Sequence, residues 1–334
     1  MTRRPRKISS WAALVAAATV CAAAAAQEAP APEAIQIDTT SNLEPEAPAA
    51  AGIPPDALEL RALRESEQGS RLSFVAGVDY VSQYTSRGLV FADEPSIQPW
   101  AELDVTIAAD AQPDGPVDRV SWFAGTWNNI NNNATPGLAR TGRRRELSNW
   151  FEADVYTGVR VNFLDNAQAS LRFNWYTSPS NSFDQIQEID ARLAYNDADF
   201  WAGRGLDGFS LTPRIRVAKE TRDDGGSEQW YFEPSITPSA IIEALPLEPR
   251  ISVPLVLGFG ANGQYIELDT GDERTFGHFR TGLAAQVDLP FAPASRGSLS
   301  FRTALEVIVL ADESLSIERE QVDEVFRFGF SYAY

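Results

Sequence analysis

The final nine residues, Phe326-Arg327-Phe328-Gly329-Phe330-Ser331-Tyr332-Ala333-Tyr334, place an aromatic ring at every second position. A strand sends alternate side chains to opposite faces. Phe326, Phe328, Phe330, Tyr332 and Tyr334 therefore form one stripe, backed by Arg327, Gly329, Ser331 and Ala333. An aromatic stripe outside with small or polar residues inside is the pattern of a strand whose outer face meets lipid. The chain is expected to be an outer-membrane β-barrel; an amphipathic strand of a soluble sheet is the competing reading.

A terminal strand ending on an aromatic also resembles the C-terminal sorting signal that bacterial outer-membrane proteins present to the barrel-assembly machinery, with Tyr334 in the place usually held by Phe. The other end supports the same address. Arg3, Arg4, Arg6 and Lys7 precede an Ala-rich apolar stretch from Trp11 to Ala26, followed by Gln27, Glu28 and prolines. This is the layout of a signal peptide over residues 1–26. Pro5 after Arg3-Arg4 argues against the twin-arginine route, and Ala18-Thr19-Val20 before Cys21 lacks the pattern of a lipidation site. Removing this leader removes the single cysteine, so disulfides and thiolate chemistry are excluded from the mature chain. No later stretch reaches the roughly 18 apolar residues of a membrane helix. Any span must then be a closed sheet, the other backbone arrangement that satisfies itself in lipid.

Loss of four basic residues with the leader carries the formal charge from −18 to −22, which argues against nucleic-acid partners. Apart from Lys7 and Lys219 every basic residue is Arg, the cation suited to fixed pairing with carboxylates. Residues 27–70 are Ala-, Pro- and Glu-rich and read as a disordered periplasmic extension, with a short helix starting near Pro55-Asp56; a plug folded into the barrel is the alternative.

The barrel is expected over 71–334. Period-2 alternation recurs in 72–84, 98–109, 119–127, 149–163, 167–176, 186–195, 209–219, 228–237, 250–259, 275–289, 298–310 and 322–334. That makes an all-β, antiparallel transmembrane barrel of about 12 strands, an even number as single-chain bacterial barrels have. With both termini in the periplasm, 128–146 and 260–274 become outer loops and Leu164-Asp165-Asn166 a tight inner turn, while 196–208 and 237–249 are long for inner turns. Outward aromatics fall at the strand ends: Tyr84, Trp175 and Trp230 at the outer end, Phe163, Tyr195, Tyr332 and Tyr334 at the periplasmic end. Phe151 is assigned to the outward face. Pro213, Pro234 and Pro254 count against the three strands that contain them, because each lacks a ladder donor.

The run Gly77-Val78-Asp79-Tyr80-Val81-Ser82-Gln83-Tyr84-Thr85-Ser86-Arg87-Gly88-Leu89 resembles the (S/D)-x-Y-x-x-R-G opening of the uncharacterised proteobacterial outer-membrane family called Gcw_chp. The stretches Pro95–Asp104 and Phe123–Asn128 are similar to that family's second and third strands. Thr85-Ser86 stands where an apolar pair is commoner. The resemblance covers about a sixth of the chain and implies a barrel, not a reaction; its motif residues here are Asp79, Tyr80, Tyr84, Arg87 and Gly88. Independently of the family, Arg87-Gly88 is assigned to the first outer loop, where Gly allows a backbone conformation closed to other residues. Arg87 either anchors that loop on a wall carboxylate such as Asp79 or Glu102, or serves a ligand.

His278 is the chain's one histidine, so an imidazole base has to be that residue. The position two residues on, where an outer-membrane phospholipase carries Ser, is Arg280. An aspartate-histidine site with Asp79 or Asp104 is the remaining enzymatic reading, and metal-ligand spacing and phosphate-cradling Gly loops are missing from the sequence. No catalytic role, cofactor or metal is assigned. The lumen carries the chemistry instead. Asp79, Glu102, Asp104, Asp154, Arg160, Arg172, Arg192, Arg214, Arg216, His278, Arg280 and Arg302 fall on the inward faces, with carboxylates concentrated in the first half of the wall and arginines in the second. Such charges either pair and close the barrel or line a thin aqueous path with a transverse field. A narrow channel for small solutes is the leading expectation, and a non-conducting envelope scaffold that binds partners through 27–70 is the alternative.

Overall fold

The structure, a computed structural model, describes residues 71–109, 116–131, 149–180, 182–223, 228–290, 297–315 and 320–334. The leader 1–26, the extension 27–70 and most of the 128–146 loop lie outside the described residues.

In chain order the elements are β1 (Leu72–Val81), β2 (Tyr84–Ser86), β3 (Leu89–Ala92), β4 (Ser96–Ala109), β5 (Val117–Asn131), β6 (Trp150–Phe163), β7 (Ala167–Thr177) and β8 (Ile186–Tyr195). There follow α1 (Ala198–Ala202), β9 (Arg214–Asp223), β10 (Trp230–Ile236), β11 (Ser239–Ile241), β12 (Arg250–Ser252) and β13 (Leu255–Ala261). The chain ends with β14 (Phe276–Leu289), β15 (Ser298–Leu310), a 3-10 turn (Glu313–Leu315) and β16 (Val322–Ala333). The sheet runs β1, β4 to β10, β13 to β16, each antiparallel to the next, and β16 returns to β1 from Val75↔Ala333 to Val81↔Arg327. Twelve strands therefore close a barrel with no free edge. β11 and β12 pair with each other below the main ladder, β12 continuing onto β14.

Alternation decides what each face meets. Leu72, Ile97, Val155, Leu171, Leu283, Leu305 and Phe330 are exposed outward, while Asp79, Asp104, Asp154, Arg172, Asp190 and Arg302 are buried inward. A soluble protein hides the first set and shows the second. The inversion, on a closed antiparallel sheet, defines a transmembrane barrel. No helix among the described residues is long and apolar enough to cross a membrane, which says nothing of strands. At the end opposite Leu72 and Tyr334, Trp150, Trp175 and Phe276 face outward, and Trp230 lies under Lys219; Tyr332 and Tyr334 face outward at the other end.

The three strands expected to contain proline differ in outcome. The expected strand 209–219 begins instead at Arg214, because the Asp197 carboxylate takes the backbone N–H of Leu211 (2.9 Å) and Thr212 (3.0 Å) out of the ladder. Val253-Pro254 divides the expected 250–259 strand into β12 and β13. Pro234 remains in β10, paired with Ile215 of β9. The turn between β6 and β7 carries Leu164 and Asp165 at φ 56° and 66°, a left-handed pair that matches the twist of the flanking strands.

Two outward assignments are corrected. Tyr84 is buried inside, because β1 ends at Val81 and the chain turns inward as a separate β2–β3 hairpin. Phe151 is also inside: Asn129 pairs with Glu152 and Ile130 with Trp150, so Phe151 is the extra residue of a bulge and points inward. Tyr84, Phe91, Trp127, Phe151, Phe183 and Ile186 form an apolar cluster within the lumen.

Candidate functional site: the lumen and its strap

The inward charges pair along the wall, between strands at most two apart. Asp79 of β1 accepts Arg302 of β15 at 2.9 and 2.5 Å and the Trp100 indole N–H at 3.1 Å, and that guanidinium lies 5.0 Å from the Trp100 ring. Gly329, directly opposite Asp79, makes room: a Cβ there would collide with the carboxylate. Arg160 of β6 forks between Glu102 (3.0 Å) and Asp104 (2.8 Å) of β4, and Arg119 and Ser121 of β5 complete the Asp104 shell at 2.8 Å each. Asp190, fully buried on β8, receives Arg172 (2.7 Å), Arg192 (2.9 Å) and Arg216 (2.8 Å). Arg280 meets Glu306 at 3.1 Å, and Arg214 is half-buried within electrostatic reach of Glu233. Arg216, Arg280 and Arg302 thus answer to Asp190, Glu306 and Asp79, not to Asp104 or Asp154 across the bore. The division of the wall into an acidic and a basic half is neutralised locally.

One arginine does cross. β2 and β3 form a hairpin whose turn carries Arg87 and Gly88 at φ 48° and 83°. The hairpin's first residue packs on β5 and β6, where the Tyr84 ring lies 5.6 Å from Trp127 and 5.8 Å from Phe151, and its hydroxyl donates to Glu152 at 2.6 Å. Its turn reaches the opposite wall. Arg87 hydrogen-bonds Glu188 of β8, donates to Gln264 at 2.7 Å, lies 3.7 Å from Glu220 of β9, and sits 4.8 Å over the Tyr231 ring of β10. Its carbonyl accepts the Tyr265 hydroxyl at 2.9 Å. The hairpin is a strap across the lumen at the loop end of the barrel. The sequence expectation of an Asp79 or Glu102 partner is corrected to Glu188 and Glu220. Asp79 and Glu102 are already held by Arg302 and Arg160.

His278 belongs to the strap's seat. Nδ1 lies 3.1 Å from the Tyr265 hydroxyl, the ring faces Tyr231, and a Cβ on Gly88 or Gly258 would collide with the imidazole. Its partner is a tyrosine, while Asp79 and Asp104 are engaged by arginines. Tyr80 points outward and stacks on Phe328 at 5.0 Å. Glu188, Glu220, Tyr231, Gln264 and Tyr265 form the seat, and of these the sequence places only Glu188 on the inward face. Inward parity marks Glu188, but no local pattern couples it to a residue 101 positions away. Among the described residues no group of three or more His, Cys, Asp or Glu is placed to hold a metal ion.

No family model and no curated protein matches the chain. Solved structures do. An outer membrane channel from Pseudomonas putida F1 is similar at 8% identity and TM-score 0.44, over 81% of this chain and 98% of that one. The NanC porin aligns at 11% identity and TM-score 0.37, over 78% and 98%. The beta domain of the Bordetella autotransporter BrkA aligns at 10% identity and TM-score 0.39, over 79% and 98%. None of their activities carries over at these scores.

Proposed function

We propose that the chain is an outer-membrane barrel serving as a narrow channel for small solutes, and that the strap is its closure. Arg87 reaching from one wall to Glu188 and Glu220 on the other carries this reading: it obstructs the bore through one detachable element, whereas the remaining charges pair within the wall. The leader and the aromatic terminal strand support the outer-membrane address, with the chain termini on the periplasmic side. Membership of the Gcw_chp family is part of the proposal, since Arg87-Gly88 lies in the resembling run.

A non-conducting envelope barrel is the second reading. The depth at which the lumen charges are buried favours it, for a wall neutralised by buried pairs has little left to offer a passing ion. Planar-bilayer recording separates the two. Wild-type protein is expected to show small, infrequent openings, and a variant with residues 84–92 replaced by a short Gly-Ser turn a larger, steadier conductance. Silence from both proteins, each still folded, would rule out the channel.

A further inference from the structure

At the loop end of the wall, three adjacent strands present polar side chains that the arginine network leaves out. Asn129 of β5 pairs in register with Glu152 of β6, and Trp127 with Asp154; Gln98 of β4 falls opposite Asn129, between the Ile97–Ile130 and Trp100–Trp127 pairs. All four polar side chains point inward and are at most 3% exposed. Gln98 Oε1, both polar atoms of Asn129, Glu152 Oε1 and Asp154 Oδ1 make no hydrogen bond to another protein group.

The two carboxylates differ from their neighbours on the wall. Asp79, Glu102, Asp104, Glu188, Asp190 and Glu306 each hold an arginine. Glu152 instead accepts the neutral Tyr84 hydroxyl, and Asp154 feels Arg172, which is committed to Asp190 at 2.7 Å. Glu152 and Asp154 stand two residues apart on β6, on the same inward face. Two buried carboxyls side by side, next to unpaired amides, are strongly unfavourable unless a shared partner satisfies them.

We infer that Gln98, Asn129, Glu152 and Asp154 form a calcium site. On neighbouring inward positions of three adjacent strands the four side chains offer two carboxylates and two amide oxygens, with no imidazole or thiolate among them, a donor set for a hard cation and not for zinc or copper. A dication balances the two carboxylates. Calcium accepts irregular oxygen shells, whereas magnesium demands octahedral geometry and gives up its waters reluctantly, which disfavours it in so dry a place. Because Glu152 also holds Tyr84, an ion here would brace the first residue of the strap. The site stands whether or not the lumen conducts.

The test is calorimetric titration of the full-length protein, lipopolysaccharide-free in detergent and stripped with chelator, with calcium chloride and then magnesium chloride, alongside thermal unfolding followed by tryptophan fluorescence. Saturable one-to-one calcium binding is expected, with a raised Tm and at least tenfold weaker binding of magnesium. Glu152→Gln with Asp154→Asn should weaken calcium at least a hundredfold, and Asn129→Asp, which adds a carboxylate ligand and preserves the shape, should tighten it about tenfold. Should the double variant fail to fold, the wild-type and Asn129→Asp titrations decide alone. No saturable calcium binding by the wild type would overturn the site and leave a proton shared by the two carboxyls. Binding unchanged in the variants would place the calcium elsewhere and overturn it equally.

Discussion

Arg87 reaches a carboxylate 101 positions away and is only 2% exposed at its side chain, so its charge depends on partners the surrounding sequence does not supply. Removing one member of a buried ion pair costs about 3–5 kcal/mol, because the other charge stays behind. Arg87→Ala is expected to lower stability by that order in urea unfolding. Combining it with Glu188→Gln should cost clearly less than the sum of the single changes, and additive losses would mean that the two groups do not meet. Arg87→Lys should not restore the wild type, since an ammonium lacks the fork that spans Glu188 and Gln264 and the plane that lies on Tyr231. The same scale holds Gly258, where a methyl group would enter the His278 ring. Gly258→Ala should destabilise by about 1–3 kcal/mol, the usual range for overpacking, and His278→Ala in that background should recover part of the loss. Recovery by neither stability nor mobility would show that the ring is not the obstacle. The strap's contacts were illegible in sequence for one reason. Alternation tells which face a side chain takes, and Tyr84 and Arg87 sit where the strand has already ended.

The strands themselves were legible because two-residue periodicity survives wherever one face meets lipid and the other the lumen. β14, β15 and β16 fall within a residue of their expected bounds. Errors gathered where a local hydrogen bond or an extra residue overrode the period: Asp197 capturing the start of β9, Pro254 parting β12 from β13, and the bulge that turns Phe151 inward. β16 matters most to closure, for it pairs with β15 on one side and β1 on the other, and Tyr334 exchanges both backbone hydrogen bonds with Phe74 at 2.8 Å. Deleting Tyr334, or replacing it with a charged residue, is expected to reduce the yield of assembled barrel in membranes more than deleting residues 28–60. Equal losses would detach the terminal aromatic from assembly.

For the whole molecule, what composition and pattern foretold was the kind of solvent each face would meet; how the interior is filled depended on contacts between distant strands. An acidic, arginine-bearing chain became a wall of paired charges because neighbouring inward positions supplied both signs. The bore is crossed by a strap because the connection from β1 to β4 folds in and carries Arg87 to Glu188 and Glu220. All of this rests on a closed twelve-stranded ladder that spans a membrane. The most direct measurement is electrophoretic mobility in SDS of the protein from fractionated cells, with and without boiling. A closed ladder resists SDS until heated, so the account expects the protein in the outer-membrane fraction, with unboiled protein running faster than boiled. Recovery from the soluble periplasm, with one mobility under both conditions, would contradict it.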